Sequence, residues 1–434
     1  MADRRPHVVI VVVNLPAERD RRVIRECQAL EAAGYRASVI CPRGPRRLTV
    51  LPGTAATTIR SFPQPLAGTG LLSFAAEFAW ALIAVTARLL GLMLRGRVDA
   101  VQACNPPDIF WVVGLLMRAL GRPFVFDHHD LSPELYECKS DQPRSSVLRV
   151  LRLFERLSWR CATAVVATNE SFRELAMGRG GCHPDKVVVV RNGPSLAEVR
   201  RTGVPAPRTG DADAPGPVGP QQDPADPRQK IVYVGVINPQ DNVEVTVLAA
   251  ERLVGLRGAD DWQLVVAGDG ESLPALRRLA TERGVDDLVE FTGWLEADEV
   301  DALLCAAAVA IQPDRPSRMA EMYTMAKTVE YVARGVPVVA ADLLETRRTA
   351  DQAASYVLTG GPDEFAKAID QLLSDDGARA AMSAVGRKRF VDELAWDHQV
   401  KSYIRLWDRL LRPSPNGYNQ GSPRSGADAA RLNA

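Results

Sequence analysis

Four polar residues in a row, Asp127-His128-His129-Asp130, follow the apolar run Phe124–Phe126. Imidazole donates or accepts hydrogen bonds and carboxylates accept them, so this cluster makes a polar floor suited to hydroxyl groups. His129, His128 and Asp130 are therefore the candidates for guiding a reacting hydroxyl. A second group lies in Tyr323–Val339. Lys327 and Glu330 stand three residues apart on one helical face. They offer a cation for a phosphate and a carboxylate for two vicinal hydroxyls. The helix opens near Thr324 and Met325, whose backbone adds anion-binding N–H groups. A third group, Gly235, Asn238, Gln240 and Asp241, follows an apolar run and leads into a helical pattern. Its backbone suits a diphosphate, although the loop itself carries no cation. Gly268 and Gly293 sit in further turns at strand ends.

These residues need elements to bring them together. Short apolar runs alternate with helical patterns along most of the chain. His7–Val13, Ala37–Cys41, Val98–Ala103, Phe124–Phe126, Ala164–Ala167 and Val187–Val190 read as strands. They are continuously apolar, as strands buried on both faces are. Asp20–Ala33 reads as a helix stopped by Gly34, and another helix follows from about Pro107. Val204–Arg228 is rich in Pro, Gly, Asp and Gln, so it reads as a linker or disordered loop. The alternation then restarts with strands at Ile231–Val236, Leu264–Ala267, Val289–Phe291, Val309–Gln312, Val336–Ala340 and Ser355–Leu358. The expected fold is α/β, with two Rossmann-like domains whose parallel sheets face a cleft. The expected divisions are 1–200, a linker at 201–230, 231–394, a helix at 395–412 that returns to the first domain, and a disordered tail at 413–434. Such a cleft holds two substrates and suits group transfer.

Composition narrows the class. Of 434 residues, 53 are Lys or Arg and 53 are Asp or Glu, so no global basic field draws the protein to nucleic acid. The balance conceals an asymmetry. Residues 1–200 hold 27 basic and 18 acidic residues, and the remainder holds 26 and 35. Seven widely spaced cysteines without a C-x-x-C argue against a disulfide framework and fit a reducing cytoplasm. Leu71–Leu94 is long and apolar enough to span a bilayer, but Glu77 and Arg88 interrupt it. It reads as a crossover helix with one membrane-facing side. With Arg95, Arg97 and the earlier Arg43, Arg46 and Arg47, residues 71–97 suit peripheral contact with anionic lipid. No G-x-G-x-x-G follows the first strand, and phosphate-loop and H-E-x-x-H signatures are absent.

Four segments in order carry a family resemblance: Phe126–Glu137 (FDHHDLSPELYE), Val165–Ala176 with Lys186–Pro194 (VVATNESFRELA and KVVVVRNGP), Tyr233–Asn242 (YVGVINPQDN) and Lys327–Ala340 (KTVEYVARGVPVVA). Over roughly His7–Leu411 the sequence resembles glycosyltransferase family 4, in particular the fucosamine-transferase-like enzymes of O-antigen, capsule and exopolysaccharide synthesis. The resemblance implies a GT-B fold, retention of anomeric configuration and no required metal or cofactor. It implies a nucleotide-sugar donor bound by the second domain and a lipid-linked or oligosaccharide acceptor on the first. By position, Glu330 matches the second carboxylate of the family's E-x7-E and takes the ribose hydroxyls. The first carboxylate falls at Met322, so neighbouring Glu321 is the stand-in. The family's Arg/Lys pair after the first donor-domain strand is replaced by Asn238, Gln240 and Asp241, leaving Lys327 to hold the diphosphate. His129 matches the histidine that contacts the transferring sugar. A sugar-nucleotide epimerase and a non-catalytic sugar-nucleotide-binding scaffold are the alternatives.

Overall fold

The computed structural model describes residues 5–64, 70–140, 142–200 and 226–412. Most of the expected linker and the whole 413–434 tail lie outside the described residues. The first sheet has seven strands: β1 (His7–Val11), β2 (Arg36–Pro42), β3 (Thr58–Phe62), β4 (Ala100–Cys104), β5 (Phe124–His128), β6 (Ala164–Ala167) and β7 (Val187–Val189). Their spatial order is β3-β2-β1-β4-β5-β6-β7, with every neighbouring pair parallel. The second sheet contains β8 (Gln229–Val234), β9 (Trp262–Ala267), β10 (Val289–Gly293), β11 (Ala307–Gln312), β12 (Val338–Ala341) and β13 (Ala354–Val357). Its order is β10-β9-β8-β11-β12-β13, again parallel throughout. Both sheets are doubly wound, and their strand order reverses at β1/β4 and at β8/β11. Ligands of such sheets sit beyond the carboxyl ends of the strands at these reversals.

The continuous apolar runs form these strands because helices cover both faces. All five residues of β1 are buried. β3 lacks an apolar run and escaped the sequence reading. As an edge strand it needs only one covered face, and Arg60 points into solvent. One face of the first sheet packs against the helices Leu71–Arg95, Trp111–Ala119 and Ser145–Cys161. The other packs against Arg21–Ala32 and the last helix, Trp396–Leu411. Asp20 starts the Arg21–Ala32 helix by accepting hydrogen bonds from the Arg22 and Val23 N–H groups. The helix after β4 begins at Trp111, later than expected from Pro107.

The last helix ties the two halves of the chain together. Its apolar stripe, Trp396, Tyr403, Leu406 and Trp407, is buried with residues of the first sheet. The Leu71–Arg95 helix buries Ala81, Ala84, Val85 and Leu89 against that sheet and turns Ile83 and Leu94 outward. It is the β3–β4 crossover, although residues 73–95 are long and apolar enough to cross a membrane.

Candidate active site

The carboxyl edges of the two sheets meet. Beyond β5, the Leu131 N–H donates to the Tyr323 hydroxyl at 2.8 Å, and that hydroxyl donates to Asp130 Oδ1 at 3.2 Å. Beyond β6, Asn169 donates from Nδ2 to the Met322 carbonyl at 2.8 Å and to Thr324 Oγ1 at 3.1 Å. Glu345, fully buried beyond β12, accepts from the Ser171 N–H at 3.1 Å, the Ser171 hydroxyl at 2.7 Å, the Thr324 hydroxyl at 3.1 Å and Arg348 at 2.9 Å. Arg191 of the first domain approaches the same carboxylate at 3.7 Å. A buried carboxylate is stable only when paired and hydrogen-bonded, so Glu345 is a fixed joint between the domains.

On the first-domain side, strand alternation separates the two histidines. His129 lies one residue past β5, with Nε2 2.8 Å from Asp127 Oδ2 and 14% of its side chain exposed. Asn105, beyond β4, accepts the His129 N–H at 2.6 Å and the Asp130 N–H at 3.1 Å, fixing this turn. His128 points the other way. It is fully buried, stacked on Phe126 and packed against Trp159 and Phe172. Burial, reinforced by the Arg179 and His129 charges, lowers its pKa to about 3 and keeps it neutral. The expectation that His128 guides a hydroxyl is therefore wrong: it is a core residue. Asp127 is likewise buried, in an ion pair with Arg22 at 3.0 Å. Burial alone raises its carboxyl, but Arg22 and His129 outweigh that and hold it well below the ordinary range. Cys104, Asp127 and His129 place ligand atoms within 4.8 Å of one another. Arg22 already neutralises this carboxylate, which makes the trio a poor cation site. At the β1/β4 reversal a cavity of about 200 Å³ is lined by Val13, Asn14, Phe62, Phe78, Trp80 and Pro106, among others.

On the second-domain side, the loops after β8 and β9 lie backbone on backbone. A Cβ on Gly268, at φ +142°, would collide with the Gly235 carbonyl oxygen, and one on Gly270 with that of Ile237. Asn238 and Asp241 cap each other around Pro239–Asp241, and Gln240 lies within that turn. Gly293, at φ +73°, ends β10 and accepts from the Gly268 N–H at 2.8 Å. The helix after Met325 spans Ala326–Arg334, and Gly335 at φ +69° stops it. Met325 provides no side-chain cap and the Thr328 N–H donates to its carbonyl at 3.0 Å, which leaves the Ala326 and Lys327 N–H groups for an anion.

Lys327 is less free than its sequence position suggests. Its Nζ lies 3.1 Å from both Asp314 oxygens and 3.8 Å from Asp241, over the face of Tyr233. Burial lowers the lysine pKa, but the two aspartates more than compensate and leave it raised. Glu330 pairs with Arg334, one turn further along the same helix, at 2.5 Å. Glu321 accepts the Leu344 N–H at 2.6 Å, which engages it at the start of the Leu344–Ala350 helix. Sequence reasoning missed Asp314, Arg315, Glu345 and Tyr403. Arg315 supplies the cation lacking in the β8 loop, reaching Asn242 Oδ1 at 3.2 Å and Glu244 at 3.3 Å with its side chain 68% exposed.

Two doubly wound domains with facing carboxyl edges define the GT-B fold. Residues 20–193 match the glycosyl transferase 4-like domain, and residues 228–375 match the glycosyl transferases group 1 domain. The chain belongs to the GT-B glycosyltransferases of the family-4-like kind. It is 24% identical over 410 residues to the 2-deoxystreptamine glucosyltransferase of Streptomyces kanamyceticus, covering 90% of this chain and 98% of that one. It is 31% identical over 175 residues to the GDP-mannose-dependent alpha-(1-6)-phosphatidylinositol monomannoside mannosyltransferase of Mycobacterium tuberculosis, covering 39% of this chain and 45% of that one. Among solved structures, the sucrose-phosphate synthase of Thermosynechococcus elongatus shares the fold, with a TM-score of 0.68 at 15% identity over 94% of this chain and 99% of that chain.

Proposed function

We propose that this glycosyltransferase moves a sugar, with retention of anomeric configuration, from a nucleotide-sugar to a lipid-linked or polysaccharide acceptor during cell-surface glycan synthesis. The supporting observation is the junction of the two strand-end edges, where Asp130 and Leu131 meet Tyr323 and Asn169 meets Thr324. The donor diphosphate lies at the β8/β11 reversal, where Arg315, Lys327 and helix N-termini neutralise the charge that develops as the bond breaks. Glu330 takes the ribose hydroxyls, exchanging its contact with Arg334 for them. His129 holds the sugar, and the acceptor enters over the first sheet. This scheme assigns charge neutralisation to protein groups and gives no step to a metal or cofactor. Relatives support the donor class: one mannosyltransferase is described as GDP-mannose-dependent. A structurally similar Anabaena protein was solved with UDP and glucose.

The acceptor reading has its own support. Among the described residues, ten of the sixteen exposed large apolar side chains lie on or cap the three helices Leu71–Arg95, Trp111–Ala119 and Ser145–Cys161. The same side carries exposed Arg95, Arg97, Arg118, Arg149, Arg156 and Arg160. Apolar and basic side chains together suit an anionic bilayer, and the cavity beside Trp80 opens at this helix. All seven cysteines are free, in keeping with a cytoplasmic protein leaning on the inner face of the plasma membrane.

A thermal-shift panel of UDP, GDP, ADP and dTDP sugars tests the donor assignment. A ligand at 100 times its Kd adds about 2.7 kcal/mol of stability. The expected result is a shift with one base, and no shift with any contradicts the reading. Flotation with phosphatidylglycerol vesicles tests the membrane contact, which Ile83→Glu and Leu94→Glu are expected to weaken.

A further inference from the structure

We infer that Asp127 is a positioning residue for His129, and that Tyr403 of the last helix holds Asp127 in place through Gln102. The inference deepens the reading of His129 as the sugar-contacting residue and rests on it. Its basis is one continuous buried chain. The Tyr403 hydroxyl donates to Gln102 Oε1 at 2.7 Å. The Gln102 amide donates from Nε2 to Glu26 at 2.7 Å and to Asp127 Oδ2 at 2.8 Å. That same Asp127 oxygen lies 2.8 Å from His129 Nε2 in a close charge-pair contact, and Arg22 donates to Oδ1 at 3.0 Å and to Oδ2 at 3.4 Å. Tyr403, Gln102, Glu26 and Asp127 are each fully buried.

The chemistry of each group fixes the direction of the chain. An ionised carboxylate has no hydrogen to give, so the proton between Asp127 and His129 sits on Nε2. In the neutral ring Nδ1 is then bare and accepts a hydrogen bond from a sugar hydroxyl in the cleft. Gln102 strengthens this arrangement only in one orientation. Its Nε2 faces two carboxyl groups, which puts Oε1 against Tyr403. Glu26 lies 3.1 Å from Arg22 Nε, and burial and Asp127 raise its carboxyl well above the ordinary range. The last helix follows the donor domain in sequence but is buried in the acceptor domain. Its docking thereby sets the tautomer of a residue in the cleft.

Histidine-selective 15N labelling of the full-length protein reads the ring directly, with His129→Gln assigning the resonances among the five histidines. In spectra recorded at a pH high enough for a neutral ring, the expected wild-type state is protonated Nε2 and bare Nδ1. Asp127→Asn offers an amide donor as well as an acceptor, so the lock is lost and a tautomer mixture is expected. Its kcat should fall at least about tenfold, with the nucleotide-sugar KM within about twofold of wild type. Tyr403→Phe keeps the ring packed on Trp407 and is expected to lower kcat about threefold with a smaller tautomer change. If Asp127→Asn does not fold because Arg22 is left unpaired, Tyr403→Phe reads the same chain. A wild-type His129 protonated on Nδ1, or unchanged tautomer and kcat in a folded variant, overturns the inference. Absence of transfer from every nucleotide-sugar would sink the functional reading instead, while the ring spectrum still decides the positioning claim.

Discussion

Replacing Lys327 with methionine separates its structural role from its proposed catalytic one. The side chain lies against Asp314 and Asp241, and only 9% of it is exposed. Removing one partner of a buried ion pair costs about 3–5 kcal/mol, because the remaining charges stay buried. A cooperative unit of one domain's size loses about 2–4 °C per kcal/mol, so a fall of roughly 6–20 °C is expected at pH 7.5. The deficit should depend on pH. Burial raises the Asp241 carboxyl, Lys327 opposes that, and Asp314 adds to it. Without the lysine the carboxyl rises further above its unfolded value. The folded state then binds more protons than the unfolded one, so the loss is largest above the folded pKa and shrinks as pH falls. Each unit between the folded and unfolded values recovers about 1.4 kcal/mol. Scanning calorimetry of wild type and Lys327→Met at pH 7.5 and 5.5 measures this. A deficit below about 1 kcal/mol, or one unchanged with pH, would refute the buried ion-pair cluster. Steady-state kinetics on the same variant should also show a reduced kcat.

The other residues give separable outcomes. Glu330→Ala should raise the nucleotide-sugar KM about tenfold or more with kcat within twofold, since hydrogen bonds to a charged group contribute about 1.5–3 kcal/mol; steady-state kinetics reads it. Arg315→Ala should weaken donor binding about three- to tenfold and flatten its salt dependence, measured by titration calorimetry at two ionic strengths. Glu345→Ala strands donors from both domains and should cost about 3–5 kcal/mol, splitting one calorimetric transition into two. His128→Phe should leave kcat within about twofold. It should also blunt acid destabilisation below pH 6.5, because a histidine held neutral to about pH 3 is protonated first in the unfolded chain; denaturation curves from pH 7 to 4 check this.

The doubly wound architecture was legible because its strands are apolar on both faces and its helices carry ordinary stops. The last helix, expected at 395–412, spans Trp396–Leu411, legible because its buried stripe repeats at the helical period. β3 was illegible because an edge strand with Arg60 has no continuous apolar run. The histidine pair shows a subtler limit. The two-residue period already sets His128 and His129 on opposite faces, but only the packing reveals which face is the aromatic core. Local spacing put Lys327 and Glu330 on one helix, yet they do not share a partner: the lysine is held by Asp241 and Asp314 from other elements, and the glutamate pairs i,i+4 with Arg334, which Asp301 also engages. Arg315 and Glu345 carry no local signature. Each gains its role from a residue tens or hundreds of positions away, which one-dimensional periodicity does not record.

The central claim is retaining transfer from a nucleotide-sugar in the interdomain cleft. Real-time proton NMR of the donor selected by thermal shift tests it most directly, with water as the acceptor when no other is supplied. The account predicts slow release of nucleoside diphosphate, with the first-formed free sugar in the donor's anomeric configuration before mutarotation. A first-formed sugar of the opposite configuration, or a bound nucleotide-sugar consumed neither with water nor with a lipid-linked acceptor, would contradict it.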